Sequence, residues 1–123
     1  MDDPFEKLRG KHPHMNVRFE PPAQGSRTGV LWIAGDLDSQ TSQDVQEGIL
    51  NLLGQMTSGS ALVVDLKNVV YISSTGVGIL TQSLTEAAKK GIAFRLRGLS
   101  SGCRMIFSAL GLLQYFDIEE GSE

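Results

Sequence analysis

Ser73-Ser74-Thr75 set three hydroxyls in a row, with Gly76 after them. They follow an apolar, β-branched run. They precede a stretch in which Val77, Leu80, Leu84 and Ala88 recur at helical spacing, so they fall at a helix N-terminus. The first amide N–H groups of a helix have no intrahelical partner, and its dipole favours negative charge there. A phosphate on one of these hydroxyls would be held by those donors and would add about two negative charges, enough to spoil a docking surface. Serine and threonine are also favoured N-caps, and capping alone accounts for one of the three hydroxyls.

Other chemistry is less complete. Gly76-x-Gly78-x-x-Thr81 follows a strand and opens a helix, but it lacks the third glycine of a dinucleotide fingerprint. Arg95 and Arg97 stand where that motif wants an acid. The one Gly-Lys pair, Gly10-Lys11, lies in the polar leader, and no Gly-x-Ser-x-Gly elbow occurs. His12 and His14 sit in the same leader, far from a serine nucleophile. Asp36, Asp38 and Asp65 stand near strand ends and could hold magnesium, as in a phospho-aspartate receiver. That reading also needs a lysine near the last strand, and residues 114–118 offer none. Solvated loop carboxylates or helix caps are the favoured reading of the three. Lys89, Lys90, Arg95, Arg97 and Arg104 read as a solvated face. No metal site, cofactor or catalytic residue is expected.

These groups need a scaffold, and 123 residues suit one compact domain. Hydrophobic residues at 41% and charged residues at 20% support a packed core. A net charge of -3 gives no drive toward nucleic acid or anionic lipid. Cys103, the single cysteine, excludes an intrachain disulfide and reads as a small buried hydrophobe. The first residues lack a signal peptide's apolar run, and no apolar stretch is long enough to cross a bilayer, so a cytoplasmic protein is expected.

Residues 1–14 read as a flexible leader, 15–119 as the domain and 120–123 as an acidic tail. Met15 to Glu20 alternates at strand period, and Val30 to Ala34 is an apolar strand. A helix should open near Thr41, with Asp44 in its first turn and Val45, Ile49, Leu52 and Met56 along one face. Ala61 to Leu66 reads as a buried parallel strand. After the second helix, Gly91 marks its stop and Ile92 to Leu96 another strand. Cys103, Ile106, Phe107 and Leu110 mark a third helix, and Tyr115 to Ile118 a last strand. The order strand-strand-helix-strand-helix-strand-helix-strand implies an α/β fold, a small, mostly parallel sheet with crossover helices.

Val64-Asp65-Leu66, followed by Val70 to Gly78, resembles the signature of the STAS family of anti-sigma-factor antagonists. Gly35-Asp36-Leu37-Asp38 with Thr41 is similar to that family's motif before the first helix. Leu99-Ser100, Arg104 to Phe107 and Gly111-Leu112 resemble its last helix and the following turn. The resemblance runs from about Met15 to Ile118. It implies a non-enzymatic regulator of transcription in stress signalling. Its partner would be an anti-sigma factor with serine kinase activity, bound when the antagonist is unphosphorylated. The kinase would modify Ser74, with Ser73 and Thr75 as alternatives, and a serine phosphatase would reverse the step. Partner contacts are expected at Asp36, Asp38, Ser39, Thr41, Ser73, Thr75, Gly76 and Val77. Many phosphorylated members carry aspartate just before the acceptor; here that place is Ser73. A STAS subunit without a phosphate cycle, serving a transport or stress-signalling complex, is the other reading.

Overall fold

The structure is a computed structural model and describes residues 3–119. The expected acidic tail, 120–123, lies outside the described residues. A five-stranded sheet runs in the order β1 (Asn16–Glu20), β2 (Thr28–Leu37), β3 (Ala61–Ile72), β4 (Ala93–Arg97) and β5 (Asp117–Glu119). The β1–β2 pair is antiparallel and the other pairs are parallel. Helices α2 (Ser42–Gln55), α3 (Ser74–Lys89) and α4 (Ser101–Ala109) make the crossovers. Because sheet neighbours are also chain neighbours, right-handed crossovers put all three helices on one face. That face holds the core. Leu31 and Ile33, then Leu62, Val64 and Leu66, then Phe94 and Leu96 meet Val45, Ile49, Leu52, Val77, Leu80 and Phe107.

The other face carries no crossover helix and is built as cross-strand rows. Arg18, Trp32, Asp65, Arg97 and Glu119 lie side by side across all five strands. The Arg18 guanidinium stacks 4.2 Å from the Trp32 ring centre. Arg97 Nε donates to Asp65 Oδ2 at 2.9 Å, and Arg95 in the next row donates to Asp117 at 3.1 Å. The row corrects the reading of Asp65 as a solvated or capping carboxylate. Asp65 is buried on this face, where long neighbours cover it and one of them carries the compensating charge. Arg95 and Arg97, read as part of a solvated face, are half-buried here and paired with Asp117, Glu119 and Asp65.

The leader also departs from expectation. Glu6–Lys11 forms a short helix, α1, preceded by Phe5, and both Phe5 and Leu8 are buried. Six residues are too few to hold a helix alone, so packing must supply the order. Phe5 fills a notch at Gly48 of α2, where an added Cβ would stand 2.3 Å from its ring. Burial of one such ring contributes about 1.5–3 kcal/mol. His12 Nε2 and Lys11 Nζ lie 2.8 and 3.2 Å from Asp44 Oδ2 and hold that carboxyl below its ordinary range. Residues without an apolar period still found two anchors on a neighbouring helix. At the other end, Leu113–Tyr115 is a turn of 3-10 helix, and the last strand begins only at Asp117.

Candidate functional site

The site forms where β2 and β3 end and α3 begins. Ser73 takes an extended conformation, φ -89° and ψ 171°, and its hydroxyl accepts from Gly76 N at 3.1 Å. It is the N-cap and is half-buried. Ser74 is the first helical residue, and both it and Thr75 are exposed. The three hydroxyls therefore divide: one is used by the backbone and two face solvent. The free amides of the first turn and the positive end of the helix dipole lie beside Ser74, so the surroundings tolerate negative charge there.

Gly76 explains how the helix start is held. A Cβ on this residue would stand 2.8 Å from both Leu37 O and Ile72 Cγ1. Only glycine lets the first turn of α3 press against the end of β2. Ser73 N donates to the same Leu37 carbonyl at 2.8 Å, which ties the start of α3 to the loop after β2.

That loop is a tight Asp38 turn. Asp38 Oδ1 accepts from Gln40 N at 2.9 Å and Thr41 N at 3.0 Å. The Thr41 and Gln40 amides hold its carboxyl below the ordinary range. Thr41 is the N-cap of α2, yet its side chain does not cap. Its hydroxyl donates to Asp36 O at 2.7 Å and accepts from Asp38 N at 3.1 Å. Asp36, Ser39 and Gln40 are exposed.

Three residues expected in partner contact face inward. Thr41 is buried in its turn, Gly76 is buried against Leu37, and Val77 is a fully buried core residue. They shape the surface from beneath. Asp36, Ser39, Ser74 and Thr75 present the exposed part of it, with Asp38 and Ser73 half-buried. Among the described residues, no group of three or more histidine, cysteine, aspartate or glutamate side chains is placed to hold a metal ion. Asp36 lies at the end of β2 and Asp38 in the turn after it, whereas Asp65 is paired with Arg97 on the sheet face without crossover helices. No helix among those residues is long and apolar enough to cross a membrane.

Val70 and Tyr71, just before the site, are exposed hydrophobics that sequence reasoning did not place there. The signal was present: Leu66, Val69 and Ile72 recur every third residue, a break in strand period. The buried strand read as Ala61 to Leu66 runs on to Ile72 through that break.

The sequence profile of the STAS domain matches residues 21–123. An anti-sigma-B factor antagonist of Bacillus subtilis is 32% identical over 91 residues, covering 74% of this chain and 81% of that protein. The anti-sigma factor antagonist SpoIIAA in its unphosphorylated form superposes with a TM-score of 0.70 at 19% identity, covering 88% of this chain and 90% of that one. The phosphorylated form of SpoIIAA, a Bacillus cell fate determinant, gives 0.65 at 19% identity, with 88% and 93% covered. The chain belongs to the STAS domain family.

Proposed function

We propose that this STAS domain is an anti-sigma-factor antagonist, switched off by phosphorylation of Ser74. The observation that carries the reading is the division of the hydroxyls: Ser73 is spent on the cap, while Ser74 stands exposed on the first helical residue. The relatives' names supply the partner class, an anti-sigma factor, and a neighbour of this fold exists in a phosphorylated form.

In this scheme the chain is a binding module of the cytoplasm and its domain spans about residues 15–119. The anti-sigma factor acts as the serine kinase. The γ-phosphoryl of its ATP passes to Ser74 Oγ, the hydroxyl proton leaves to a base on the kinase, and ADP departs. A serine phosphatase returns the hydroxyl with water, releasing inorganic phosphate. The bound phosphate sits at the start of α3, where it is tolerated by the fold but repels an acidic or tightly packed partner surface.

Ser73, where the family resemblance leads one to expect an aspartate before the acceptor, supports the reading of a STAS subunit without a phosphate cycle. Serine and aspartate fill an N-cap about equally well, so the exchange keeps the helix start and removes one charge beside Ser74.

Incubation with ATP and the anti-sigma factor of the same organism, followed by intact mass and peptide mapping, tests the switch. One phosphate on Ser74 is expected, and none on Ser74→Ala. Ser74→Asp should bind the anti-sigma factor at least tenfold more weakly at an unchanged unfolding midpoint. Equal binding of wild type, Ser74→Asp and Ser74→Ala would sink the reading.

A further inference from the structure

β3 carries more residues than the stretch of β2 it pairs with. Val69 lies opposite Gly35 and Ile72 opposite Leu37, so Val70 and Tyr71 face the single residue Asp36. That is a β-bulge, a feature uncommon between parallel strands and often found beside functional sites. It interrupts the alternation of faces, and two consecutive apolar side chains reach solvent. Val70 is 81% exposed and Tyr71 52%. The bulge is held from both sides. Ser73 N donates to Leu37 O at 2.8 Å, and the Cys103 thiol, from α4, donates to Val69 O at 3.5 Å.

We propose that Val70 and Tyr71 are the apolar anchor of the docking surface centred on Ser74, and that they are what makes a charge at Ser74 costly to binding. The inference rests on the function proposed above and names what the anti-sigma factor must offer: a recessed apolar surface beside the pocket that receives Ser74.

Position supports this. Tyr71 precedes Ser74 by three residues, so their Cα atoms lie no more than about 11 Å apart. Asp36, exposed near the end of β2 beside the Asp38 turn, sits directly across from the bulge. A side chain as open as Val70 protrudes, which suits a complementary protein surface; a small molecule would need a cavity. Tyrosine is enriched among residues that dominate binding, because it brings large rigid area with a polar tip.

The energetics follow from water. A phosphate at a wet contact stays hydrated and costs little. The same charge beside a contact from which water is expelled loses hydration and is strongly disfavoured. An exposed serine at a helix start has no means of expelling water. Two apolar side chains within a few residues do. The phosphate and the apolar pair are therefore coupled: without the pair, the charge should matter less.

Calorimetric titration of the anti-sigma factor into four full-length proteins tests the coupling: wild type, Ser74→Asp, Val70→Ser with Tyr71→Ser, and the combination of all three. The Val70→Ser/Tyr71→Ser protein should bind at least tenfold more weakly at an unchanged unfolding midpoint. Adding Ser74→Asp to it should cost several-fold less affinity than adding Ser74→Asp to wild type. Wild-type affinity for the Val70→Ser/Tyr71→Ser protein, or an undiminished effect of Ser74→Asp in it, overturns the inference and leaves the function standing. Equal binding of Ser74→Asp and wild type overturns the function and this inference with it.

Discussion

Two helices of this protein begin with the same dipeptide. Ser73-Ser74 opens α3 and Ser100-Ser101 opens α4. In each the first serine is an extended N-cap whose hydroxyl accepts from the amide three residues on, Gly76 N at 3.1 Å and Cys103 N at 3.2 Å. In each the second serine is exposed, and a glycine follows within two residues. Locally the two starts are near copies. Their surroundings are not. A Cβ at Gly76 would collide with Leu37 O, whereas one at Gly102 meets nothing within 4 Å. α3 starts against the Asp38 turn and the Val70-Tyr71 bulge, and β4, which leads to α4, pairs with β3 in uninterrupted register. Capping chemistry makes a helix start; a neighbouring loop and strand end are needed to make a surface from it.

The sharpest way to break that contrast is at the glycines. Gly76→Ala should cost about 1–3 kcal/mol, because Leu37 O is backbone and cannot turn aside. Gly102→Ala, in open space, should be neutral or stabilise by up to about 1 kcal/mol through helix propensity. Urea unfolding of the two variants measures the difference. A loss at Gly102→Ala matching that at Gly76→Ala would mean that the two starts are held alike.

The caps come next. Ser73→Ala and Ser100→Ala should each lower stability by about 1 kcal/mol, since each removes one hydrogen bond to a first-turn amide. Their functional effects should part. Only Ser73→Ala should slow phosphate incorporation at Ser74, through fraying of the turn that carries it, and Ser100→Ala should leave the rate unchanged. Time courses by intact mass with both variants decide this.

The smallest effect concerns the turn that α3 has beside it and α4 lacks. Asp38 has a folded pKa below that of the unfolded chain, which is about 3.9. A depressed carboxylate contributes stability in full above the unfolded value and loses it as pH falls through the folded one. Asp38→Asn should therefore be less stable than wild type at neutral pH, with the gap closing on acidification below pH about 4. Unfolding midpoints of both proteins across that range read it out. A gap that stays constant with pH would remove the Asp38 carboxylate from the account of this loop.

Much of the fold was legible because it is written in short periods. The spacing of Val45, Ile49 and Leu52, and of Val77, Leu80 and Leu84, marks two amphipathic helices that the structure contains. Alternating strands and helices imply the parallel sheet. The hydroxyl cluster was visible as a helix start because capping depends on residues only three apart. Phe5 and Leu8 were not legible as core. They lack periodicity, and the burial of Phe5 depends on a glycine notch some forty residues on. Thr41 carried motif resemblance but no sign of facing inward, whereas the apolar period that includes Val77 already placed that residue on the buried face of α3.

By itself, then, the amino-acid order determined the crossover helices and the main strands, their succession and the place where three hydroxyls meet a helix N-terminus, but not α1, whose order comes from packing. All of these are set by interactions within about one turn or one strand. The fold in three dimensions decided which hydroxyl is free, which carboxylate is buried and where apolar side chains break the surface. The Asp65–Arg97 pair joins residues on neighbouring strands, and the Val70-Tyr71 bulge exists only as a mismatch between β3 and β2. Such features belong to pairs of segments, so neither segment alone contains them.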